Sequence, residues 1–415
     1  MRKRIQVKEL KIGMFVDGFE KSWISTPFIK HHFIIKEHKQ INKIENAGIQ
    51  YVYIDTDKGL DIGVESNRSL NLESKGSFAY EERQSVLETL AINKVTVFEG
   101  YVKEKDNYLQ IDQNSLIEGS FIDFSIYLKN DMQINEYIKY ENLEIEITEA
   151  LKHVKGEILI RKEDMVKYKK YLGNILYHIP PHLSYQQIKS AIIKENAKIA
   201  VSELLENPEK NERVEECKTA VEEIIADIIN NKGVLTHLLT INKYDYYTYT
   251  HSVNTCIYSI GLAMDIGIRD VRDLFTIGIG TLLHDIGKST IPSEILNKPV
   301  DRLSEFEVNI LKQHVKEGFK LIKMFKGIPE ESYYPLLQHH EKLSGTGYPF
   351  GIREGQIHIY GKITALVNLY DTFTTSRPGF KAVTPFEALS VIRTLKEDYD
   401  MDIFKHFITL LGKSN

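Results

Sequence analysis

From Tyr185 to the C-terminus, apolar residues return at three- and four-residue steps, as in Ile188, Ala191, Ile192 and Ile199 and again in Val221, Ile224, Ile225, Ile228 and Ile229. That spacing puts one apolar stripe on a 3.6-residue helix, and its near-continuity commits this half of the chain to all-α packing. The preceding residues cannot fold the same way. Residues 1–60 hold short alternating runs with glycine punctuation, a helix-like stretch from Lys39 to Ala47 and the apolar run Val52-Tyr53-Ile54, which together read as a small α+β unit. Residues 62–82 are polar, with Glu65–Ser69 and Glu73–Ser77 clusters, and read as a flexible connection. Strand signals return at Lys94–Phe98, Phe121–Tyr127 and Glu157–Ile160, with a helix expected near Glu146–Lys152. Both stretches run from an extended segment through a helix and a glycine (Gly48, Gly156) to a short aliphatic strand, the pattern of a duplicated α+β element. The expected division is therefore 1–60, a linker and second α+β region over 61–175, connecting helices over 176–234, and a final domain over 235–415.

Composition narrows the partners. Hydrophobic residues are 42% of the 415 and prolines only 11, so several cores can be buried. The formal net charge of -5 gives no global attraction for long nucleic acid, although a small anion in a local pocket remains compatible. Cys217 and Cys256 form neither a close pair nor part of a Cys/His cluster, which suits a reducing compartment. The basic start Met1-Arg2-Lys3-Arg4 leads into alternating residues without a long apolar run, so the expectation is a cytoplasmic protein with no membrane insertion.

The chemistry is concentrated in His251, the adjacent His284-Asp285, His314, the adjacent His339-His340, and Asp371. The non-helical segments Asn297–Pro299, Gly345–Pro349 and Arg377–Gly379 lie around these residues in the sequence. Any one histidine on an apolar helix reads more simply as a hydrogen-bonded core residue. His284-Asp285 is harder to dismiss, because it closes the apolar run Ile277–Leu283 and so buries a carboxylate, which costs several kcal/mol (~) unless a cation or donors compensate it. Neighbouring helical residues point about 100° apart, so His339-His340 suits two ions better than one narrow cage. Asp371 ends the apolar stretch Leu366–Tyr370 and, taken alone, reads equally well as a cap or an ion-pair partner.

In order along the chain stand Tyr249-Thr250-His251, His284-Asp285-Ile286-Gly287-Lys288, Ile291-Pro292, Ile295–Pro299, His339-His340-Glu341, Gly345-Thr346-Gly347-Tyr348-Pro349, Tyr370-Asp371 and Arg377-Pro378. This series resembles the HD-GYP subgroup of the HD phosphohydrolase superfamily over about residues 235 to 415. Leu10–Val16, Trp23, Pro27-Phe28 and Val52–Asp55 are similar to a domain of unknown function often found before such catalytic halves. Trp23 and Phe28 read as core packing.

The resemblance implies an α+β N-terminal region followed by an all-α HD-type helical bundle. In that bundle His251, His284, Asp285, His314, His339, His340 and Asp371 would surround two divalent transition-metal ions, iron or manganese, with Asp285 bridging. It implies a cyclic di-GMP phosphodiesterase forming linear pGpG, and slowly GMP, by a metal-bridged hydroxide. Asp285 and Lys288 would be catalytic, while Gly347, Tyr348, Pro349, Arg377 and Lys381 would contact the cyclic dinucleotide. Another cyclic dinucleotide, such as cyclic GMP-AMP, or a weakly active receptor are the alternative readings. The N-terminal region is expected to serve a homodimer or a signalling partner. Some members carry a glutamate one turn before the first histidine that helps bind a third metal; Tyr247 stands there, which favours two metals. Ser344, Asn368 and Gly379-Phe380 also depart from the usual pattern, and these departures bear on substrate affinity and base specificity.

Overall fold

The computed structural model describes residues 2–19, 33–35, 38–46, 49–58, 108–130, 133–149, 151, 154, 156–177, 179–180, 182–231, 238, 247–299, 302–376 and 380–413. The chain divides into two compact units, Met1–Arg83 and Gln84–Asn415.

The first unit is built on strands β1 (Arg2–Gln6), β2 (Phe15–Phe19), β3 (Phe33–Ile34) and β4 (Tyr51–Asp55), paired antiparallel in the order β1-β4-β2-β3. The period of two in β4 turns Val52 and Ile54 inward and leaves Tyr51 and Tyr53 half-buried. Helix α1 (His38–Asn46), where the sequence predicts one, adds Ile41 and Ile44 to the core with Ile5 and Val16. The guanidinium of Arg4 lies 3.9 Å from the centre of the Tyr51 ring, a cation–π contact across the β1–β4 pair. Trp23, Phe28, the polar stretch 62–82 and the expected strand Lys94–Phe98 lie outside the described residues.

The second unit opens with another antiparallel sheet, formed by β5 (Tyr108–Gln110), β7 (Ile126–Asn130), β8 (Gln133–Ile138) and β10 (Glu157–Arg161) in the order β5-β10-β7-β8. A separate ribbon pairs β6 (Phe121–Ile122) with β9 (Ile145–Glu146). The run predicted as one strand over Phe121–Tyr127 is thus split between two sheets. Where a helix is expected at Glu146–Lys152, Glu146 closes a strand, because Ile145 and Glu146 pair with Ile122 and Phe121, and the described residues Glu149 and Leu151 form a 3-10 turn. The two four-stranded sheets are alike in size and antiparallel pairing, but among the described residues only the first has an α-helix before its last strand.

Helix α2 (Met165–Ile175) covers this second sheet, and α3 (Tyr185–Glu206) completes its core, with Ile188, Ile192 and Ile199 packed among Leu109, Ile126 and Ile158. The apolar core therefore runs across residue 175 without a break. A polar chain is sealed inside it: Ser115 Oγ lies 2.6 Å from Tyr168 Oη, Tyr168 donates to Glu195 Oε1 at 3.1 Å, and Lys198 Nζ donates to Glu195 Oε2 at 2.9 Å. Glu195 and Lys198 are both buried.

The remaining helices are α4 (Asn211–Asn230), α5 (Tyr247–Asp265), α6 (Val271–Leu282), α7 (Ser293–Leu296), α8 (Glu305–Lys312), α9 (His314–Ile322), α10 (Tyr333–Gln338), α11 (Ile359–Thr374), α12 (Pro385–Thr394) and α13 (Met401–Lys413). Helix α5 packs on α6, α11 and α13, and α6 packs on α4 and α10. Gly278 lets α6 approach α4 closely, since a Cβ there would overlap the Val221 side chain. Among the described residues no helix is long and apolar enough to cross a membrane.

Removing one partner of a buried ion pair strands the other. Lys198→Met should therefore destabilise the second unit by about 3 kcal/mol, and Glu195→Gln combined with Lys198→Met should recover much of that loss. Urea unfolding of the three proteins checks this, and equal stability of the single and double variants would refute it.

Candidate metal centre

Three of the histidines stand where one helix ends. His284 follows the last turn of α6, His314 comes just after α8 and opens α9, and His339 follows α10. The last carbonyls of a helix lack intrahelical partners, and each of these rings uses one that lies three residues back. His284 Nδ1 donates to Thr281 O at 2.6 Å, His314 Nδ1 to Leu311 O at 2.6 Å, and His339 Nδ1 to Leu336 O at 2.7 Å. That contact fixes both the tautomer and the ring orientation, so each Nε2 lone pair is turned away from its own helix end.

All three Nε2 atoms converge on one carboxylate. Asp285 Oδ2 lies 3.2 Å from His284 Nε2 and 3.9 Å from His251 Nε2, while Asp285 Oδ1 lies 3.3 Å from His314 Nε2 and 3.8 Å from His339 Nε2. The donors form two trios, His251, His284 and Asp285 on one side and His314, His339 and His340 on the other, each with ligand atoms within 4.8 Å of one another. Five of the six are buried and His340 is half-buried.

These residues fit divalent metal. With Nδ1 carrying the proton, the Nε2 atoms of His314 and His339 present lone pairs to each other at 3.2 Å, and those of His251 and His284 do so at 3.3 Å. Two lone pairs at that distance repel unless a cation or an added proton lies between them. Imidazole nitrogen with carboxylate oxygen, and no thiolate, is a donor set for Fe, Mn or Zn. The negative ends of α6, α8 and α10 meet here and add to the preference for positive charge.

Asp371 belongs to neither trio. It accepts from His251 Nδ1 at 2.7 Å and from Asn254 Nδ2 at 3.0 Å, orienting the histidine as a carboxylate behind a ligand does. Lys288, buried one turn after Asp285, donates to Asp285 Oδ2 at 2.6 Å.

Beside the second trio, the Tyr348 ring stacks on His340 with centroids 4.5 Å apart and planes inclined by 21°, and Lys312 Nζ lies 5.3 Å from the Tyr348 ring centre. Gly347 and Pro349 are part of the same half-buried loop. A Cβ on Gly347 would overlap the backbone of His340 and Glu341, so only glycine fits. Arg377 lies outside the described residues, and Lys381 is exposed.

The sequence reading passed over the groups that hold this site in place. Glu341 is buried, and its two carboxylate oxygens accept from Phe350 N at 2.7 Å and Ile352 N at 3.2 Å, so it ties down the loop carrying Tyr348. Burial pushes its carboxyl up from the ordinary value, against those backbone donors. Asn254 donates its side-chain amide to Asp371 and so supports the carboxylate behind His251. The only signal for Glu341 is a charged letter directly after two histidines. Ser344, read as a departure, is engaged by Asp398 Oδ1 at 2.5 Å, and Lys342 Nζ lies 2.7 Å from the same carboxylate, so the base of the loop is held on residue 398.

A helical bundle that turns the ends of three helices and their histidines onto one aspartate defines an HD domain. Residues 233–403 match the family model described as HD domain, and residues 2–96 match the one described as a domain of unknown function, DUF3391. Residues 233–403 thus form an HD domain and residues 2–96 a DUF3391 domain, in a chain similar to HD-GYP proteins. It is 24% identical over 99% of its length to the cyclic di-GMP phosphodiesterase PA4108 of Pseudomonas aeruginosa, covering 77% of that protein. It is 31% identical over 35% of its length to the 3'3'-cGAMP-specific phosphodiesterase 3 of Vibrio cholerae, covering 31% of that protein. Among solved structures it is similar to Bd1817, an HDG"Y"P protein from Bdellovibrio bacteriovorus. The TM-score is 0.58 at 25% identity, covering 74% of this chain and 99% of that one.

Gly287 sits between Asp285 and Lys288, and a Cβ there would overlap the carbonyl oxygen of His314 and the amide nitrogen of Gly318. Gly287→Ala must push the His314 helix away from Asp285, so it should cost at least about 2 kcal/mol and lower bound metal, as read by thermal unfolding and elemental analysis. Unchanged metal content would show that the two backbones can separate without opening the site. Glu341→Gln replaces one of two acceptor oxygens by a donor that faces a backbone N–H. It should cost about 1–3 kcal/mol and raise KM more than it lowers kcat.

Proposed function

We propose that this chain is a cyclic dinucleotide phosphodiesterase that adds water across one 3'–5' linkage of cyclic di-GMP, breaking the P–O3' bond to leave linear pGpG, with slow further hydrolysis to GMP. The observation that carries this reading is the placement of Asp285, one oxygen facing each histidine group. It is supported by relatives named as phosphodiesterases of cyclic di-GMP and of 3'3'-cGAMP.

In this reading His251, His284 and Asp285 hold one divalent ion and Asp285, His314, His339 and His340 the other, with Asp371 fixing His251 from behind. Two such ions, iron or manganese, would draw off charge from the phosphodiester and lower the pKa of water between them. Lys288 keeps the Asp285 carboxylate oriented and offers its ammonium to a phosphate oxygen as negative charge builds in the transition state. The stacked pair of His340 and Tyr348 presents an aromatic face to a guanine or ribose, while Arg377 and Lys381 meet the second phosphate. Because every proposed ligand lies at residue 251 or beyond, the N-terminal region is assigned to a partner or a second copy and not to the metals. The 3'3'-cGAMP relative and the departures at Ser344 and Asn368 favour one second reading, the same hydrolysis with a mixed cyclic dinucleotide.

The test is elemental analysis of anaerobically purified protein, coupled to product analysis with cyclic di-GMP and 3'3'-cGAMP. Two transition-metal ions per chain and pGpG as the first product are expected; one or three ions would overturn the ligand assignment. Asp285→Ala should abolish hydrolysis and lower metal content. Lys288→Ala should keep the metals and lose about 100-fold in kcat; metal loss in that variant would mean the lysine is structural.

A further inference from the structure

The histidines of the metal centre are held in two different ways. His284, His314 and His339 each donate to a helix-end carbonyl, a backbone group that no side-chain substitution removes. His251 is placed differently. It is the fifth residue of α5, where carbonyls are taken up by the helix's own hydrogen bonds. Its Nδ1 turns instead to Asp371, a side chain of a second helix, at 2.7 Å.

That carboxylate is itself clamped. Asp371 Oδ1 accepts from Asn254 Nδ2 at 3.0 Å, and Oδ2, besides His251, accepts at 3.2 Å from the hydroxyl of Thr375, which follows the last residue of α11. Asn254 comes three residues after His251, so both reach Asp371 from one side of α5. It is 6% exposed, and among the described residues its Oδ1 meets no donor. A buried amide with one end unmet is costlier to a core than an apolar side chain of the same shape. Core stability therefore does not account for Asn254, whereas its hydrogen bond to Asp371 does.

We propose that Asn254 is a positioning residue for one of the two ion positions, setting the His251 ring through Asp371. The position served by His251 then depends on a run of side chains, Asn254, Asp371 and His251, while the rings of His314 and His339 at the other are fixed by backbone. One ion is accordingly the easier to lose. This inference rests on the two-ion reading above. The test is manganese titration of the metal-stripped full chain, read by the electron paramagnetic resonance signal of free manganese. The parent should bind two ions. Asn254→Leu, close in shape, should bind one as the parent does and the other at least about tenfold more weakly. Thr375→Val, which removes the donor on the other oxygen, should weaken the same ion by less. Adding Asn254→Leu to Asp371→Asn should weaken that ion no further, since Asn254 acts through Asp371. Ser259→Ala removes a buried hydroxyl five residues further along α5 and should leave both ions in place. The proposal is overturned if Asn254→Leu binds both ions as tightly as the parent, if it weakens both equally, if its effect adds to that of Asp371→Asn, or if Ser259→Ala reproduces it. A parent that binds a single ion would instead sink the two-ion reading, and this proposal with it, before any variant is compared.

Discussion

The Asp285 carboxylate is 4% exposed and is surrounded by imidazoles, and the cost of keeping that charge out of water orders the helical half around it. Each surrounding element answers to it. Lys288 supplies one positive charge directly. The histidines supply none while neutral, but three of them are locked by helix-end carbonyls so that their Nε2 atoms face the carboxylate. A constellation of this kind is poorly balanced in isolation and well balanced around cations. Its geometry is set by backbone, since Gly287 brings the turn after Asp285 against the carbonyl of His314 with no space for a side chain.

The second sheet and its helices solve the same problem by a different route. Glu195 is also buried, but it is satisfied within the protein by Tyr168 and Lys198. Asp227, wholly buried in α4, accepts from Gln186, Ser190 and Asn231 and faces Lys189 at 3.2 Å. These carboxylates stiffen a core and leave nothing over for chemistry. Asp285 differs in having imidazole lone pairs as most of its neighbours, and that difference separates a candidate site from a structural ion pair.

Much of this centre was legible in the letters, because histidine and aspartate closing an apolar run are costly in any core and their order along the chain is specific. The helical half was legible for a related reason, since its periodicity persists through α3 and α4. What the letters hid was mostly backbone. The carbonyls of Thr281, Leu311 and Leu336 and the amides of Phe350 and Ile352 belong to residues whose side chains give no hint of the role. Asp371 reads as one more ligand until its contact with Nδ1 of His251 places it behind the ring. The stretch from Glu146 has helix-forming composition, yet the pairing of Ile145 and Glu146 with Ile122 and Phe121 overrides that preference at its start.

The three-residue link between each ring and the carbonyl of its own helix has a consequence for how such a chain can change over time. A side chain on a helix turns by about 100° for every residue added or removed ahead of it. A one-residue insertion within Ile277–Leu283 would therefore swing His284 and Asp285 off the shared centre even if every other residue were kept, and the same holds before His314 and His339. Substitution can be absorbed along these helices wherever size is preserved. Length change is confined to the connections between them, and the spacing inside each helix is under tighter constraint than most of the identities that fill it.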